Sequence, residues 1–189
     1  MMMDKKELRK YGKNVLSHMS NDEKERASHL IYEHLFSHPY WKQSHTIGVT
    51  LSGEIEIDTT PILERGWKEG KRMAVPKCEP KQKGMTFYSY VQGDELETVY
   101  FGLKEPIEVS EKAINQSGLE LILVPGLLFT KEGYRIGFGG GFYDRYLENY
   151  SGRTIGLATK QQLLSQMPVD SFDQPVDDVI TEEGVSKRE

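Results

Sequence analysis

Residues 124–150, VPGLLFTKEGYRIGFGGGFYDRYLENY, place four glycines within five positions: Gly137, Gly139, Gly140 and Gly141. An apolar run at residues 119–129 precedes them, with a turn signal at Lys131-Glu132-Gly133. After the glycines, Phe142, Tyr143, Tyr146, Leu147 and Tyr150 recur at helical spacing. Strand, glycine loop and helix start make an anion site. Glycines let backbone N–H groups approach a phosphate, and a helix N-terminus adds unpaired donors and partial positive charge. Arg135 and Arg145 flank the loop, and Asp144 stands where a carboxylate could hold a divalent cation. The loop fits neither GxGxxG, because position 142 is Phe, nor GxxxxGK[ST].

The rest of the chain supplies a setting for that loop. Residues 5–19 read as a helix capped by Asp4, with Leu8, Tyr11, Val15, Leu16 and Met19 on one face. Its other face carries Lys5, Lys6, Arg9, Lys10 and Lys13, a basic cluster in a chain of net charge −5. Ser20 and Glu23 have capping-box spacing for a second helix. Ala27, Leu30, Ile31, His34 and Leu35 are expected on its core face, and Pro39 ends it.

From Thr46 the period shortens. TIGVTL reads as a strand, SGEIEIDTTP as a loop, residues 62–69 as a helix and KRMAVP as a strand. That order predicts a parallel pair with a right-handed crossover. Residues 85–91 read as an added strand, FGLKEP at 101–106 as a loop, and 119–124 as a buried strand. Residues 154–158 read as a strand, 161–166 as a short helix and 179–181 as a terminal strand. The predicted class is α/β: a mostly parallel sheet with helices on both faces, a Rossmann-like three-layer sandwich in a single domain, 1–189. Ligands then collect at the carboxyl ends of the strands.

Composition excludes several classes. The acidic balance offers no global attraction for nucleic acid, so any nucleotide must be held by local Lys and Arg. The single cysteine, Cys78, excludes an internal disulfide framework and suits a reducing compartment. The N-terminus lacks the apolar stretch of a signal peptide, and no run spans a bilayer, so a cytoplasmic location without membrane partners is expected. The five histidines fall in the first 45 residues without metal spacing, and neither GxSxG nor HExxH occurs.

The block PGLLFTKEGYRIGFGGGFYDRYL resembles the signature of the 5-formyltetrahydrofolate cyclo-ligase family. Lys5-Lys6-Glu7-Leu8-Arg9 is similar to the family's N-terminal KxxLR, and Glu56-Ile57-Asp58-Thr59 to its E-[IV]-[DE]-T element. Phe172-Asp173 and Val176-Asp177 resemble its closing segment, with Phe172 where many members carry His. The resemblance implies ATP- and magnesium-dependent conversion of 5-formyltetrahydrofolate to 5,10-methenyltetrahydrofolate. It implies an ATP site built from Lys5, Lys6, Arg9, Arg135 and Ile136, continuing through Gly137, Phe138, Gly139, Gly140, Gly141, Phe142 and Tyr143. Lys5, Arg135 and Arg145 are implied in catalysis, and Asp144 and Asp173 as ligands of Mg2+. Glu56, with Phe138 to Phe142, is implied on the folate side. ATP and 5-formyltetrahydrofolate are the expected small-molecule partners of a monomer. Two other classes fit the loop less fully: a phosphate- or nucleotide-binding module without turnover, and a nicotinamide-dependent oxidoreductase.

Overall fold

A computed structural model describes residues 2–99 and 102–186. Two capped helices open it. Helix α1 (Lys5–His18) begins at Asp4, whose carboxylate accepts from Glu7 N–H at 2.8 Å while the Glu7 carboxylate accepts from Asp4 N–H at 2.9 Å. Helix α2 (Asn21–Ser37) repeats that reciprocal cap with Ser20 and Glu23. Pro39 ends α2 and starts the short α3 (Pro39–Gln43).

Strands β1 (Thr46–Val49), β2 (Arg72–Glu79), β7 (Leu121–Val124), β10 (Arg153–Leu157) and β12 (Asp178–Thr181) form the parallel heart of an eight-stranded sheet. Helix α4 (Thr60–Lys68) makes the crossover from β1 to β2. Antiparallel β3 (Gly84–Ser89) and β6 (Ala113–Ile114) extend one edge, and β13 (Gly184–Ser186) closes the other. Alternation sorts the core. Ile47, Val49, Met73, Val75, Leu121 and Leu123 face α2, α3 and α4, while Ala74, Ile122 and Val124 face the opposite layer. That opposite layer holds α5 (Phe142–Leu147) and β8 (Leu128–Thr130), so both faces of the sheet are covered.

Helix α1 covers neither face. Its Leu8 and Leu16 pack on Leu127, Leu128 and Ile136 of the hairpin formed by β8 and β9 (Arg135–Ile136), at the carboxyl ends of the strands. A methyl on Gly12 would stand 2.9 Å from Leu127 Cβ, so the close helix approach requires glycine there.

Several expectations need correction. Tyr11 and Leu30 are 44% and 42% exposed; Gly12 and Ser28 take the buried positions beside them. The run at 119–129 is two strands, because Pro125-Gly126 breaks it after β7 and releases β8 into a separate three-stranded sheet with β9 and β11 (Leu163–Leu164). Residues 161–166 form no α-helix: a 3-10 turn at Lys160–Gln162 leads directly into β11. Within FGLKEP, Lys104–Pro106 is strand β5, pairing antiparallel with β4 (Leu96–Thr98), while position 101 lies outside the described residues. The strand at 179–181 is not terminal, since β13 follows it. None of the described helices is long and apolar enough to cross a membrane.

Candidate active site

Three segments distant in sequence meet at one rim. The Asp4 cap makes Lys5 the first residue of α1 and places Arg9 one turn on, on the same side. Lys5 Nζ lies 2.6 Å from both Asp170 Oδ2 and Asp173 Oδ2, and 5.4 Å from the centre of the Phe172 ring. Burial alone lowers the Lys5 pKa, but the two carboxylates outweigh it and hold it above the ordinary lysine value. Arg9 lies against the glycine loop, its Nε 3.5 Å from where a Cβ on Gly139 would stand. That Nε is buried and has no hydrogen-bond partner among the described residues. Lys6 is exposed on the same helix.

The glycine loop leaves β9 after Ile136 and enters α5. Phe138, Gly139, Gly140 and Gly141 are exposed, and Gly139 and Gly141 have φ of 109° and 70°, values that favour glycine. Gly141 is the N-cap of α5 and offers no side-chain cap to its first N–H groups. Beneath the loop, Arg135 is 6% exposed and pairs with Asp144 at 3.0 Å. The Arg135 guanidinium also donates to the carbonyls of Pro125 and Gln174. Asp144 Oδ1 accepts from Gln174 N–H at 3.1 Å, and Gln174 directly follows Asp173. The Asp144 carboxylate therefore reaches the backbone next to Asp173.

Their environment decides what metal they suit. Among the described residues no group of three or more His, Cys, Asp or Glu forms a cage. Mg2+ is usually held by one or two carboxylates with substrate phosphates completing its shell. Asp144, at the start of α5 after the glycine loop, and Asp173, the residue before its Gln174 partner, supply carboxylates of that kind.

A pocket opens at the carboxyl ends of β1, β7 and β10, lined in part by Thr50, Glu56, Thr59, Pro125 and Gln162. Glu56 is half-buried and faces it, whereas Glu54 and Asp58 are exposed. Burial raises the Glu56 pKa above the ordinary carboxylate value, and the Gly53 N–H, donating at 2.8 Å, offsets part of the rise. Asp58 instead accepts from Thr60 N–H at the entry to α4. Tyr143 joins the two halves of the site. Its hydroxyl hydrogen-bonds the Thr50 hydroxyl, and burial pushes its pKa well above the usual phenol value.

Arg145 also lies against the glycine loop, its Nη1 2.8 Å from where a Cβ on Gly141 would stand. Its Nε donates to Lys83 O at 2.8 Å and its guanidinium sits over the Phe142 ring, lining a separate cleft between α5 and β3. Adjacent positions on a helix project about 100° apart, so Asp144 and Arg145 face different ways. Sequence reasoning missed Thr50, Asp170 and Gln174. Only Asp170 carried a signal: Asp170 and Asp173 have turn spacing, realised here by Asp170 N–H donating to Asp173 Oδ2.

The family described as the 5-formyltetrahydrofolate cyclo-ligase family matches residues 1–182. A 5-formyltetrahydrofolate cyclo-ligase of Mus musculus is 33% identical over 190 residues, covering 95% of this chain and 94% of that protein. The enzyme of that name from Escherichia coli (strain K12) is 34% identical over 151 residues, covering 78% and 83%. The solved 5,10-methenyltetrahydrofolate synthetase of Aquifex aeolicus superposes with a TM-score of 0.84 at 34% identity, covering 98% of this chain and 93% of that one. With the family pattern spanning nearly its whole length and the same architecture beneath it, the chain belongs to the 5-formyltetrahydrofolate cyclo-ligase family.

Proposed function

We propose that this protein converts 5-formyltetrahydrofolate to 5,10-methenyltetrahydrofolate with ATP and magnesium, releasing ADP and phosphate. The observation that carries the reading is the meeting of Lys5, Arg9 and the glycine loop at one rim, together with the pocket lined by a half-buried Glu56. One side suits polyphosphate. The other suits a ligand rich in N–H donors, as a reduced pterin is.

The chemistry explains the division. A formamide oxygen is a poor leaving group, so it first attacks the γ-phosphorus and ADP departs. The neighbouring N10 then attacks the activated carbon and loses its proton, and the former formyl oxygen leaves as part of phosphate. Such a reaction needs alignment and charge neutralisation more than covalent chemistry from the protein. Lys5 and Arg9 meet the phosphates as fixed charges, and the N–H groups at Gly139 to Gly141 cradle them. Arg135 holds Asp144 in place under the loop. Asp144 and Asp173 would hold the magnesium, which when bound neutralises phosphate charge. Glu56 accepts from the pterin. The protein acts as a cytoplasmic monomer.

The test is to mix protein, magnesium, ATP and 5-formyltetrahydrofolate and follow the methenyl chromophore. Product is expected only when all four are present. Nucleotide binding without folate-dependent ADP release would leave a binding module instead.

A further inference from the structure

We propose that the Thr50–Tyr143 hydroxyl pair is a positioning link that couples the Glu56 pocket to the glycine loop and sets the relative placement of the two substrates. The inference rests on reading Glu56 as the folate side and the glycine loop as the phosphate side. Thr50 follows the last residue of β1, where the chain leaves the sheet for the loop carrying Glu56. Its carbonyl accepts from the Thr59 hydroxyl at 2.8 Å. Ser52 and Thr59 close that loop reciprocally, each hydroxyl accepting the other residue's N–H at 3.1 Å. The loop is thus cinched onto Thr50.

The other end of the link is equally fixed. Tyr143, 93 positions further on, lies in the first turn of α5 and directly precedes Asp144. Its ring packs beside Phe87, and the Arg135 guanidinium lies 5.9 Å from its centroid. The Tyr143 hydroxyl therefore ties Thr50, which lines the Glu56 pocket, to the helix that follows the glycine loop. Each hydroxyl can donate and accept, so the pair satisfies itself without a ligand.

A positioning link has its own kinetic signature. Each substrate keeps its own contacts when the link is cut, while the alignment of formyl oxygen and γ-phosphorus loosens. A displacement of about 1 Å can cost roughly 100-fold in rate. The loss therefore falls on kcat and on the mutual tightening of the two substrates.

The experiment compares Thr50→Val, Tyr143→Phe, the double variant and Thr50→Ser. Each single loss of a hydroxyl is expected to lower kcat by about 10- to 100-fold. Binding of 5-formyltetrahydrofolate alone, and of a non-hydrolysable ATP analogue alone, is expected to stay within about two-fold of wild type by calorimetry. The double variant should be no worse than the poorer single one, since both act through one bond. Thr50→Ser, which keeps the hydroxyl, should restore kcat. Unchanged kcat in Thr50→Val, multiplying losses in the double variant, or weakening toward one substrate alone would each overturn the link. If Tyr143→Phe does not fold, the Thr50 pair decides alone. A wild-type protein that forms no product would refute the functional reading. The link would then stand or fall on whether the ATP analogue tightens folate binding in wild type and fails to in Thr50→Val.

Discussion

Lys5 and Asp173, 168 positions apart, meet at 2.6 Å and fasten the start of α1 to the loop before β12. Asp173 is 8% exposed, so removing its cation leaves a nearly buried carboxylate. Lys5→Met is expected to cost about 1–3 kcal/mol of stability. ATP should bind roughly 10-fold more weakly, as for loss of one charge-assisted contact. The pH dependence distinguishes the pair from generic packing. The folded lysine is raised above 10.5, so its contribution is complete below that value and lost as pH rises through the raised one. The melting-temperature gap between wild type and Lys5→Met should hold from pH 7 to 9 and shrink only above 10.5. A variant with unchanged ATP dependence would leave the basic helix face as solvated surface.

Asp144 has two roles that separate by substitution. Asp144→Ala strands the buried Arg135 and is expected to cost about 3–5 kcal/mol. Asp144→Asn keeps an Oδ1 acceptor for Arg135 and Gln174 N–H, so it should melt closer to wild type. Both should lose nearly all turnover if the carboxylate holds magnesium. Thermal melts and magnesium titrations check the pair. Asp144→Asn with full turnover would remove the metal role.

Glu56 trades stability for binding. Its folded pKa stands above 4.5, so folding favours the protonated form. That stability is complete below the unfolded value and lost as pH rises through the folded one. Glu56→Gln keeps an acceptor for Gly53 N–H and removes the buried charge. It should melt no lower than wild type at pH 7, with the difference fading below about pH 4.5. Its folate KM should rise by roughly 10-fold, as for a mismatched donor costing about 1–3 kcal/mol. ATP affinity should hardly move. Weakened ATP with intact folate use would put the carboxylate on the other substrate.

Gly133 supports the site from outside it. Its φ is 94°, and an added Cβ would stand 2.2 Å from the Val176 carbonyl oxygen, whose own N–H donates to Gly133 O at 2.9 Å. Gly133→Ala is expected to cost about 2–5 kcal/mol, combining left-handed strain and overpacking. Gly137→Ala, whose methyl would meet nothing within 4 Å, should melt near wild type. Equal melting temperatures for the two would contradict this account of the turn.

Much of the sheet was legible because β-branched runs and capping boxes report on their own neighbourhoods: β1, β2, β7, β10, α1 and α2 all follow their local patterns. The hairpin of β8 and β9 was hidden because the apolar run continues through Pro125-Gly126, and only the tertiary fold shows that the chain changes sheets there. Family motifs pointed to the site residues one by one, and the fold supplied their pairing: Lys5 with Asp173, Arg135 with Asp144. Asp144 and Arg145 are adjacent in sequence but take different partners, Arg135 and the Lys83 carbonyl, since one step along a helix turns a side chain away from its neighbour. Thr50 carried no signal, because its role depends on a contact made 93 positions later.

The measurement that tests the central claim most directly is the fate of the formyl oxygen. Substrate labelled with oxygen-18 in the formyl group is turned over with the protein, magnesium and ATP, and released phosphate is analysed by mass spectrometry. Phosphorylation of the formyl oxygen requires one labelled oxygen in each phosphate formed. Unlabelled phosphate, with the label in water or retained in the folate, would contradict it.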